Sequence, residues 1–118
     1  MSFAFPTDKW FFVAFTPKTI NGFEMLHRAA AAEIPTPIPG HRGFVGVYPP
    51  MPEKGLPRWT VKRFALPEHL VDQYFGQGDL VNLETVCLDS LEEVENLLWQ
   101  WGIDSSMLDA PWKSDWPL

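Results

Sequence analysis

The sequence predicts an α+β fold: one domain with a mixed or antiparallel four-stranded sheet, about three helices packed on it, and an irregular C-terminal strap. Three observations carry this reading. A chain of 118 residues suits one core. Its apolar pattern switches between the period of two that marks strands and the 3.6-residue period of helices. Its 12 prolines and 8 glycines fall mainly between those segments, where turns belong.

Taken in order, residues 10–16 are aromatic and β-branched up to Pro17, which suggests a strand covered on both faces and central in its sheet. Asn21 and Glu24 then have the spacing of a capping box. Phe23, Leu26 and Ala30 recur at helical intervals, and Ala29, Ala30, Ala31 and Ala32 extend the helix to about Glu33, before Pro35. Pro35, Pro37 and Pro39 favour extended polyproline geometry. Residues 43–48 alternate, with Phe44 and Tyr48 on one face and Val45 and Val47 on the other. With a third strand over 59–64 they form a long-looped hairpin.

Pro67 suits the first position of a helix whose apolar face is Leu70, Val71, Tyr74 and Phe75, ending at Gly76. Residues 80–88 read as the fourth strand. The last helix has the clearest signals. Asp89 or Ser90 caps it, Glu92 and Glu93 suit its positive end, and Gly102 stands where it stops. Leu91, Val94, Leu97, Leu98 and Trp101 form its core stripe.

Composition narrows the function. Cys87 is the only cysteine, so no disulfide can close within the chain. Residues 1–30 show no signal-peptide pattern, and the longest apolar run falls far short of the ~20 residues that span a bilayer. The expectation is a soluble cytoplasmic protein without a membrane partner. Net charge is −6, but residues 1–67 hold eight basic side chains against four acids, whereas residues 68–118 hold eleven acids and only Lys113. The acidic half favours basic partners. The basic side chains of the first half are scattered, which argues against nucleic-acid binding.

Catalytic and metal signatures are missing. His27, His41 and His69 are widely spaced, so no metal or cofactor is expected. Cys87 lies in an apolar strand and is expected to be buried and unreactive. No nucleophile elbow or phosphate loop occurs. The one segment with catalytic flavour is Gly40-His41-Arg42-Gly43, where His41 could act as a base and Arg42 could hold an anion beside a pocket at the loop after residue 34.

Two features favour binding. A 100° step places Glu92, Glu93, Glu95, Asn96 and Gln100 opposite the core stripe of the last helix, with Trp99 among them, as an interface anchor would be. The tail contains Met107, Leu108, Trp112, Trp116 and Leu118, too apolar for a free terminus, and is expected to pack on the domain as the strap.

The ending also carries a resemblance. The helix begun by Leu88-Asp89-Ser90-Leu91-Glu92-Glu93-Val94-Glu95 closes on Trp101-Gly102-Ile103-Asp104, and Asp109-Ala110-Pro111-Trp112-Lys113 follows. Over roughly the last thirty residues this is similar to small bacterial proteins that resemble the immunity proteins of polymorphic toxin systems, delivered by contact-dependent inhibition or type VI secretion. The resemblance implies a cytosolic protein that binds one toxin and blocks it. Many such toxins are basic nucleases, which an acidic patch with a tryptophan anchor would suit. The expected contacts are Asp89, Glu92, Glu93 and Glu95 for steering and Trp99 as the anchor. A small enzyme built on His41 and Arg42, or an adaptor or effector chaperone, stands as the alternative.

Overall fold

A computed structural model describes residues 15–71, 73 and 75–118. Helix α1 (Pro17–Leu26) is followed by strands β1 (Ala30–Ile34), β2 (His41–Tyr48), β3 (Trp59–Pro67) and β4 (Val81–Leu88), then by helix α2 (Leu91–Gln100). The four strands form one antiparallel meander in sequence order. The α+β class is as expected. The sheet is antiparallel, not mixed, and among the described residues two α-helices stand where about three were expected, alongside short 3₁₀ turns.

Alternation along β2 sends its side chains to two cores. Val45 and Val47 join Ala30, Ala32 and Val61 beneath Phe23 of α1 and Val94 and Leu98 of α2. Phe44 joins Phe64, Leu66 and Val71 on the opposite face. The predicted faces of β2, and its hairpin with β3, are therefore correct. In the first core, Phe15, Phe23 and Trp59 stack edge to face, each successive pair of rings 5.2 Å apart.

The N-terminal expectations need correction. The strand proposed for residues 10–16 lies, up to residue 14, outside the described residues. Thr16 is the N-cap of α1, its hydroxyl accepting the Thr19 N–H, and Pro17 opens the helix. Asn21 is thus inside the helix, not at its cap. His27 in the left-handed region ends α1, and Ala30, Ala31 and Ala32 belong to β1. The small side chains of Ala30 and Ala32 pack in the core beneath the helices, and Ala31, between them, is buried as well. Pairing to β2, not helix propensity, decides this segment.

The helix expected after Pro67 is also replaced. Pro67 closes β3, and among the described residues the 3₁₀ turns Glu68–Leu70 and Gln77–Asp79 follow it before β4. Val71 nevertheless reaches the second core, with Leu70 and Phe75 against it. Farther along, β3 and β4 slip register. Arg63 faces Glu84 and Ala65 faces Val81, so Asn82 and Leu83 together oppose Phe64. Asn82 takes φ 55° at this bulge, a left-handed conformation that asparagine tolerates better than most residues.

The tail holds both the edge and the second face of the sheet. Ala31 and Asp109 exchange two backbone hydrogen bonds, of 2.8 and 3.0 Å, across the outer edge of β1. Asp104 caps the turn Ser105–Met107, and Leu108 is buried. Trp116 then crosses Phe44, Tyr48 and Phe64, its ring over Gly46. A Cβ at Gly46 would lie 2.5 Å from that ring, so β2 provides a seat that only glycine leaves open. Arg42 binds Asp115 beside it.

Candidate functional site

The outer side of α2 is built by its N-terminus. Ser90 accepts the Glu93 N–H at 3.2 Å, while Glu93 reaches back to accept the Asp89 N–H at 2.8 Å. Asp89 also binds the Arg58 guanidinium at 2.8 Å. These bonds fix the first turn. They also occupy two of the four carboxylates expected to steer a partner.

Glu95 requires a correction. Its side chain is buried, at 7% exposure, and one oxygen accepts the Phe15 N–H at 3.2 Å. The helical wheel placed it on the outer arc. In the fold, the chain entering α1 passes over that arc and converts Glu95 into an internal acceptor. Glu92 is exposed and makes no hydrogen bond or ion pair among the described residues. Trp99 is 50% exposed. Glu92, Asn96 and Trp99, at i, i+4 and i+7, share one side of the helix, as the sequence suggested.

Trp101, two residues on, faces inward beside the first core, and the Arg63 guanidinium stacks 3.9 Å above its ring. The helix phase derived from the core stripe is therefore right for Val94, Leu98 and Trp101.

Folding also redistributes the charge. Lys18–Asp109, Arg42–Asp115, Arg58–Asp89 and Arg63–Glu84 each join a base from the first half to an acid from the second. These are four of the six ion pairs among the described residues, and they engage four of the eleven acids of the second half. The remaining exposed acids on α2 are few.

His41 and Arg42 do not converge on a site. They begin β2, where Arg42 donates to Glu33 through two nitrogens and to Asp115 through one of them. Hydrogen bonding to these carboxylates pushes the Arg42 pKa up, and the same contact holds Glu33 below the usual carboxylate range. His41 Nδ1 lies 2.8 Å from the Pro39 carbonyl. A cleft does open beside the loop after residue 34, but neither His41 nor Arg42 lines it. Its polar wall is Arg63 and Glu84. Sequence reasoning missed this pair because the partners are 21 residues apart and only the β3–β4 register joins them.

Cys87 is exposed, not buried. It lies on β4 at the end of the sheet order, where alternate side chains have no further strand to cover them. Among the described residues no cluster of His, Cys, Asp and Glu could hold a metal, and no helix is long and apolar enough to cross a membrane. No protein family, curated protein or solved structure matches the chain.

Proposed function

We propose that the chain is a toxin-neutralising immunity protein that occludes a cognate, basic protein toxin through the outer side of α2. The observation that carries this reading is Trp99, a large aromatic half open to solvent on a well-capped helix, on the same side as Glu92 and outside both cores. Tryptophan so placed is a common anchor of protein interfaces, and a carboxylate on the same side of the helix suits a basic partner. The likeness of the last thirty residues to immunity proteins supplies the class of partner. With Glu95 turned inward, Asp89 engaged by Arg58 and Glu93 engaged by the Asp89 N–H, the contact set narrows to Glu92 and Trp99. Affinity then rests on the aromatic more than on steering.

The test begins with the tagged chain and the host protein that co-purifies with it. That protein, expressed alone in a sensitive strain, should arrest growth. Co-expression of this chain should restore growth, and Trp99→Ala should lose most of that protection while remaining folded. If no protein is retained, or if the partner keeps full activity in the complex as an adaptor would allow, the immunity reading fails.

A further inference from the structure

The cleft on the helix-bearing side of the sheet, about 430 Å³, is within the range of small-ligand sites. Its two walls differ in chemistry. Ile34, Pro35 and Pro37 make one wall apolar, and Arg63, Asn82 and Glu84 make the other polar. Between them lie Gly43 and Ala65, partners in the β2–β3 register. The closeness of the apolar wall depends on Gly43, because a Cβ there would sit 2.6 Å from the Ile34 carbonyl oxygen.

The polar wall is held in place yet only partly used. Arg63 Cζ sits 3.9 Å over the centre of the Trp101 ring, a contact that holds the guanidinium against that ring. Its Nε and Nη2 both approach a single carboxylate oxygen, Glu84 Oε1, at 2.7 and 2.6 Å. A bidentate pair would use both oxygens. Here Glu84 Oε2 and Arg63 Nη1 make no hydrogen bond among the described residues. Each partner keeps capacity for an opposite charge. The bulge adds the Asn82 amide to the same wall, in a left-handed conformation of the kind that gathers at functional sites.

We infer that this cleft binds a small zwitterion of the aliphatic α-amino acid class. The ligand carboxylate adds to Arg63, its ammonium adds to Glu84, and its hydrocarbon side chain lies against Ile34, Pro35 and Pro37. A single charge would satisfy only half of the wall, and a wholly apolar ligand would leave both charges without the water they now have. The inference does not depend on the protein-partner reading, since no residue of the Glu92–Trp99 stripe lines the cleft.

Calorimetric titration of the full chain with L-leucine tests it, beside two probes that each lack one charge: leucinamide, without the carboxylate, and N-acetyl-leucine, without the ammonium. Saturable binding of leucine is expected, with each probe weaker by tenfold or more. Arg63→Gln and Glu84→Gln should each weaken leucine by a similar factor. Absence of saturable leucine binding up to about 10 mM, the weak limit for a specific site, overturns the proposal. Equal binding of leucine and either probe overturns the zwitterion assignment. The probe comparison uses the native chain, so it decides the matter even if a variant folds poorly.

Discussion

Replacing Gly46 by alanine should unseat the C-terminal strap. The added Cβ would stand 2.5 and 2.6 Å from two carbons of the Trp116 ring. Gly46 is buried in the middle of β2, so the backbone is hemmed in by strands on both sides and the indole is the part that moves. A tryptophan can bury about 150–250 Å². Trp116 is partly exposed, so roughly 100 Å² of apolar contact is at stake, or about 2.5 kcal/mol. Replacing glycine within a strand returns about 0.5–1 kcal/mol of backbone entropy. The net destabilisation should be about 1.5–2 kcal/mol, a fall in Tm of roughly 5–10 °C for a chain of this length. Urea unfolding followed by circular dichroism would measure it in a double-mutant cycle with Trp116→Ala. With the indole gone, Gly46→Ala should become neutral or mildly stabilising. Equal cost in both backgrounds would refute the reasoning, because the intolerance of Gly46 would then have nothing to do with the seat.

Three further outcomes are expected. Trp99→Ala should weaken partner binding by about 2 kcal/mol, on the order of thirtyfold, with unfolding almost unchanged; Trp101→Ala, which removes the Arg63 stack and part of the first core, should instead cost about 2–3 kcal/mol of stability by the same urea assay. Glu33 has its pKa lowered by Arg42, so its contribution is present above the ordinary glutamate value and lost as pH falls through the lowered folded value; Glu33→Gln should flatten the acid limb of a Tm-against-pH profile and leave its neutral region shallowly changed. Cys87 should react with a chromogenic thiol reagent in the native protein as fast as an open thiol, and a requirement for denaturant would contradict its exposure.

Legibility in the sequence followed the number of local signals that agreed. For α2 the cap, the acidic first turn, the apolar stripe and Gly102 all pointed to one helix, and Leu91–Gln100 is that helix. Alternation likewise placed Phe44 and Val45 on their correct faces. The alanine run offered no such agreement. Alanine favours a helix in isolation, but here it allows close packing beneath two helices, and only the pairing of Ala32 with Val45 decides for a strand. The site residues divided in the same way. Trp99 could be read from helix phase alone. Glu95 and the Arg63–Glu84 pair could not, since a chain segment 80 residues earlier covers one and a register with a bulge assembles the other.

The placement of the tail bears on when the molecule can fold. One continuous stretch, residues 91–118, supplies a cover for each face of the sheet: Val94 and Leu98 on one side, Trp116 on the other. These residues are synthesised after the four strands. Until they emerge, the valines of β2 have only part of their roof and Phe44 and Phe64 lack the indole that crosses them. The four strands can therefore pair during synthesis but cannot be sealed. The nascent chain passes through a stage with apolar surface open on both sides, the stage at which chaperones act and at which premature termination would be most damaging. Completion of the fold waits on this segment, and a chain that stops before Trp116 would remain in that earlier state.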